Sequence, residues 1–113
     1  MTVGRTPAHL TDMPGFARKL RSLAATTTIE EFARQRILCL ATEKLFINLG
    51  EAACRIDARR AGQMPDIPWR KITGLRNILA HGYEQVAHDI LFKTITDELP
   101  ALEAALQRAL ATG

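Results

Sequence analysis

The sequence predicts an all-α fold, a small helical bundle of four to five helices. Ala and Leu dominate it and β-branched residues are scattered. No apolar–polar alternation persists, whereas apolar residues recur at helical spacing in one segment after another. The stretch AGQMPDIP (61–68), with one glycine and two prolines, is a clear break between helical stretches. At 113 residues the chain suits one domain, 1–113, whose core is small enough that a partner chain would help to complete it.

The first helix falls within HLTDMPGFARKLRSL (9–23), where Phe16, Leu20 and Leu23 share a face. Asp12 with Pro14 close behind can start it. Alternatively it begins near Pro7 and Pro14 kinks it. In TTTIEEFARQ (26–35), Thr28 and Glu31 fit a capping box, in which the hydroxyl takes an orphan amide and the carboxylate reaches back. A long amphipathic helix then runs to about Ala61, with room for a short separate turn ahead of it. Phe32, Leu38, Leu45, Leu49, Ala52 and Ile56 line its apolar side. After the break, Asp66 and Pro68 prepare a third helix, WRKITGLRNILAHGY (69–83). Its core stripe is Ile72, Leu75 and Leu79, and Gly82 is placed to end it. The last helix covers about Asp89 to Ala109, with Ile90, Ile95, Leu99, Leu102, Leu106 and Leu110 on a broad apolar face. Pro100 inside it predicts a bend or a break.

Composition narrows the function classes. No apolar run approaches the ~18–20 residues that span a bilayer, and the start, MTVGRTPAHL, lacks the apolar core of a secretory signal. The expected compartment is the cytoplasm. A net charge of +3 fits a polyanionic partner without requiring one. Cys39 and Cys54, if on one helix, lie about 22 Å apart, too far to pair, and are expected as buried reduced thiols. No metal-ligand spacing is present, so no metal or cofactor is expected. His9 and His88 have no ligand-spaced partners and are expected in surface or structural roles, and Trp69 as a packing residue. The basic groups at 18–21, 55–60 and 70–71 fit an RNA path and a solvated helix face equally well.

The stretch LRNILAHGY (75–83) crowds Arg76, Asn77, His81 and Tyr83 into an otherwise helical segment. Asn77 and His81 are four apart and share a face, while Arg76 flanks them. An ideal helix separates Arg76 and His81 by roughly 140°, so aiming both at one atom needs the helix to unwind at His81, next to Gly82. Arg offers an always-charged fork for phosphate oxygens, and His exchanges a proton near neutral pH. Together they can cleave an RNA phosphodiester without metal: His81 takes the 2′-hydroxyl proton and Arg76 neutralises charge at phosphorus. A second proton donor is needed for the leaving 5′-oxygen, and a homodimer would supply a second His81. The same residues also fit a plain helix end, with His81 capping carbonyls, Asn77 bonding locally and Arg76 solvated.

The wider context IPWRKITGLRNILAHGY (67–83) resembles the HEPN superfamily, specifically its HepT-like branch. It shares a Pro-Trp helix start, then Gly-Leu-Arg-Asn, then an Arg-x4-His-x-Tyr motif that Arg76, His81 and Tyr83 fit without a gap. NLGEAACRI (48–56) resembles the family's central helix and DELPALEAAL (97–106) its C-terminal helix, so the likeness covers roughly residues 28–110. The resemblance implies an all-α bundle that dimerises, with the Arg and His of both protomers lining an interface cleft. It implies a metal-independent endoribonuclease, the toxin of a two-gene toxin–antitoxin module. The implied antitoxin is an MNT-type nucleotidyltransferase that in some systems transfers AMP to the motif tyrosine. Arg76 and His81 would then be catalytic, Asn77 supporting, and Tyr83 the AMPylation site. The first helix, with Pro14-Gly15, and the segment after Tyr83, where Ala87-His88-Asp89 follows Val86, depart from the family pattern. Two rival expectations stand beside this one: a non-catalytic HEPN protein that binds a nucleotide or a nucleotidyltransferase, and a plain helical interaction module.

Overall fold

The computed structural model describes residues 8–81 and 88–112, and these are helical with no strand. The elements are α1 (Ala8–Ala25), α2 (Ile29–Arg34), α3 (Arg36–Cys54), α4 (Ala58–Gly62), α5 (Trp69–Ala80), α6 (His88–Asp97) and α7 (Leu99–Thr112). They follow the expected helices in order, with the long one divided into α2, α3 and α4 and the last into α6 and α7.

Local chemistry explains the divisions. α1 runs through Pro14 as one helix, so the earlier of the two expected starts holds. Its buried residues Leu10, Met13, Ala17, Leu20 and Ala24 form one stripe, and that burial outweighs the backbone bond proline removes. α2 opens on the expected capping box: Thr28 Oγ1 accepts from the Glu31 N–H at 3.2 Å, and Glu31 Oε1 accepts from the Thr28 N–H at 3.0 Å. Gln35, in extended backbone, ends α2 and begins α3. Asp57 caps α4 by accepting from the Arg59 N–H at 2.8 Å. The final break falls at Glu98, two residues before Pro100, which then sits in the first turn of α7 where its missing N–H costs nothing.

α3 is the central helix, packed between α1 and α5, while α6 and α7 also pack on α1 and share a groove with α3 and α5. The core joins Leu10, Met13 and Leu20 of α1 to Phe46 and Leu49 of α3, Ile72 of α5, and Leu91, Ile95, Leu102 and Leu106 of the last two helices. α5 runs back along α3. The Trp69 indole N–H donates to the Ala61 and Met64 carbonyls, at 3.1 and 3.2 Å, which places the start of α5 beside α4, a few residues past the end of α3. Trp69 is thus a half-buried packing residue with its polar edge satisfied. Among the described residues no helix is long and apolar enough to cross a membrane.

Two burial expectations change. Cys39 is buried, and its thiol donates to the Phe32 carbonyl at 3.2 Å, but Cys54, the last residue of α3, is exposed. Ile90 is 55% exposed, because it lies at the rim of a groove rather than inside the α6 contact.

Candidate active site

The site is built on the last turn and a half of α5 and on its contact with α3. Gly50 of α3 has no side chain, and Arg76 occupies the space one would fill. A Cβ at residue 50 would stand 2.1 Å from the Arg76 Cβ, 2.7 Å from its Cγ and 3.1 Å from the Ile72 carbonyl oxygen. The stem of Arg76 therefore lies directly on the α3 backbone. Its Nε is buried without a hydrogen-bond partner, so the fork reaches outward from a dry base. Nη1 donates to Asn77 Oδ1 at 2.9 Å.

Asn77 also holds His81. Its carbonyl is one of the orphan acceptors at the end of α5. It accepts the His81 backbone N–H at 3.2 Å and approaches His81 Nδ1 at 2.6 Å. A carbonyl only accepts, so Nδ1 carries the hydrogen and, in the neutral ring, Nε2 carries the lone pair. Arg76 and His81 are thus joined through Asn77, its side chain serving one and its main chain the other.

The sequence left room for the helix to unwind at His81, and α5 ends at Ala80 with His81 as its C-cap. His81 keeps φ −88° and ψ 5° and folds its ring back over its own turn, because the Asn77 carbonyl offers a bond there. Asn77 and His81 are exposed and Arg76 is half-buried. Thr73, one turn before Asn77, donates its hydroxyl to the Trp69 carbonyl at 3.0 Å. Tyr83 and Gly82 lie outside the described residues.

The basic groups are partly engaged. Arg21 Nη1 is 2.7 Å from Glu103 Oε1, Arg18 Nε is 3.8 Å from Glu103 Oε2, and Lys71 Nζ is 2.5 Å from Glu98 Oε1. Among the described residues no three His, Cys, Asp or Glu side chains gather as metal ligands would. His88 has a specific partner that sequence spacing could not reveal. Its Nε2 is 3.1 Å from Glu43 Oε2, 45 positions away in the chain, and its ring stands edge-on to Phe32 at 6.3 Å between centroids.

The chain is also similar to known proteins. The family model of ribonuclease HepT-like proteins matches residues 13–109. A protein of Methanocaldococcus jannaschii named "Putative RNase MJ1380" is 25% identical over 100 residues, covering 88% of this chain and 92% of that one. One of Thermococcus cleftensis named "Probable ribonuclease HepT" is 30% identical over 93 residues, covering 74% of this chain and 84% of that one. No solved structure matches significantly. With its family model matched over most of its length, and with an Arg, an Asn and a His linked on one helix end, the chain belongs to the ribonuclease HepT-like family.

Proposed function

We propose that the protein is a metal-independent endoribonuclease, the toxin of a toxin–antitoxin module. Arg76 and His81 are its catalytic residues and Asn77 supports both. The observation that carries this is the shared anchor at Asn77, which sets a guanidinium and an imidazole of defined tautomer on one exposed helix end. His81 Nε2 takes the proton of a ribose 2′-hydroxyl, O2′ attacks the adjacent phosphorus, and the Arg76 fork binds the phosphoryl oxygens as their charge grows. The products are a 2′,3′-cyclic phosphate and a 5′-hydroxyl.

In this reading the working unit is a homodimer. Large apolar side chains left in solvent support it: Ile37 is 83% exposed, Leu40 46%, and Ile78, next to Asn77, 41%. The antitoxin is an MNT-type nucleotidyltransferase that transfers AMP to Tyr83. A phosphodiester and a purine two residues from His81 would add charge and bulk where RNA must enter.

The test is to incubate mass-verified protein with bulk RNA in excess EDTA beside His81→Ala and to read the new ends. Cyclic-phosphate ends from the wild type alone support the reading. Silence from unmodified protein sinks it for the RNAs used, and favours the second reading, a HEPN protein that binds a nucleotide or a nucleotidyltransferase without cutting. That reading draws on the same Arg76 fork, whose fixed geometry suits phosphate whether or not chemistry follows.

A further inference from the structure

We propose that His88 is the acid of this cleavage, giving its proton to the leaving 5′-oxygen, with Glu43 as the residue that positions it. The inference rests on the ribonuclease reading of Arg76 and His81, which within one chain names a base and no acid and otherwise leaves the acid to a second His81 across a dimer.

Placement along α3 is the first argument. Gly50, where Arg76 lies, and Glu43 are seven residues apart on α3, so they share a face and differ by about 10 Å along the axis. α5 starts beside α4, just past the end of α3, and lies on Gly50 through Ile72 and Arg76, so it runs back along α3, and His81 follows Arg76 by five residues, about 7 Å of rise. His81 and Glu43 therefore stand at nearly the same level, within about 3 Å along α3. The chain leaves α5 at His81 and re-enters helix at His88, the first residue of α6, against Glu43.

The second argument is the form of the pair. His88 and Glu43 are both partly open to solvent, with side-chain exposures of 30% and 34%, so the ring is reachable yet held. The edge of Phe32 braces it at an interplanar angle of 78°. Glu43 accepts from Nε2–H, which fixes the ring and leaves Nδ1 to serve a substrate. An imidazole oriented by a carboxylate on one nitrogen and acting through the other is a standard arrangement for proton transfer.

The proton count closes. His81 Nε2 takes the 2′-hydroxyl proton as the O2′–P bond forms. The P–O5′ bond breaks, its electron pair goes to O5′, and O5′ takes the Nδ1 proton of the His88 imidazolium. His81 ends protonated and His88 neutral, and exchange with water restores both.

The test uses an RNA oligonucleotide that the wild type cuts, and the same oligonucleotide with sulfur in place of the bridging 5′-oxygen at the cut linkage. A thiolate leaves without a proton. His88→Gln can still donate an amide N–H to Glu43, so it keeps the contact but cannot act as an acid, and thermal melting checks that it folds like the wild type. Expected is a loss of about a hundred- to ten-thousand-fold on the oxygen substrate, with the sulfur substrate cut within a few-fold of the wild-type rate. Glu43→Gln should show a smaller loss with the same recovery, and His81→Ala should be slow on both substrates. If His88→Gln cuts the oxygen substrate like the wild type, His88 only fastens α6 to α3 and the proposal is overturned. If His88→Gln is equally slow on both substrates, it is overturned too, and a second His81 across a dimer becomes the acid to test. If the wild type cuts neither substrate, or His81→Ala cuts like the wild type, the ribonuclease reading fails and this proposal fails with it.

Discussion

At the scale of single residues, Asn77 divides its work between side chain and main chain, and the division predicts unequal mutants. Asn77→Ala removes only the acceptor for Arg76, since the carbonyl under His81 remains. We expect a loss of roughly three- to ten-fold in kcat/KM, the size of one modest hydrogen bond. Arg76→Lys should fall much further, by about a hundred-fold or more, because lysine is a point charge that cannot present the fork. Equal losses in the two variants would contradict that division. The cysteines give a simpler test. Burial pushes the Cys39 thiol up, and the neighbouring Glu43 adds to the rise, while Arg36 opposes it. Cys54 is exposed at the end of α3. A thiol reagent should label one cysteine per native chain, at Cys54, and two after unfolding. Two labels on the native chain would contradict the burial of Cys39.

At the scale of elements, the contact of α3 with α5 is set by Gly50. Gly50→Ala places a Cβ 2.1 Å from the Arg76 Cβ, both on helices, so a rotamer change cannot relieve it and the helices must part. The expected cost is about 1–3 kcal/mol, read as a fall in the unfolding midpoint. An unchanged midpoint would show that α5 sits farther from α3 than described. The capping box on α2 makes a second prediction. The bonds from Thr28 to Glu31, its backbone N–H foremost, hold that carboxyl below its ordinary value of 4.5. A carboxyl lowered in the folded state stabilises above its unfolded value, and the gain disappears as pH falls through the folded value. Glu31→Gln should therefore be less stable than the wild type at neutral pH, with the difference vanishing in acid. A difference that stays constant with pH would rule the ionised box out.

At the scale of the whole molecule, the helices close on a single core while Ile37, Leu40 and Ile78 remain outside it. A second copy covering them would give one particle of twice the chain mass in sedimentation, and Ile37→Asp should dissociate it. A monomer at micromolar concentration would argue against a dimeric cleft. Part of the basic surface is already engaged, since Arg18 and Arg21 tie α1 to Glu103 of α7 and Lys71 meets Glu98.

By itself the sequence determined what local rules control. The helical class follows from spacing and composition, the capping box from Thr28 and Glu31, and the start of the third helix from Pro68, its N-cap, because each depends on neighbours within a turn. The motif residues were legible for the same reason, since four-residue spacing puts Asn77 and His81 on one face. What only the tertiary structure decided depends on residues brought together from far apart. His88 reads as isolated until folding sets it on Glu43, and Gly50 reads as an ordinary helix glycine until Arg76 lies across it. Cys54 reads as a buried thiol and Ile90 as core by spacing, yet among the described residues no partner helix covers them. Even at the site, the sequence placed His81 on the right turn, but the direction of its ring was set by a carbonyl that becomes an acceptor only where α5 ends.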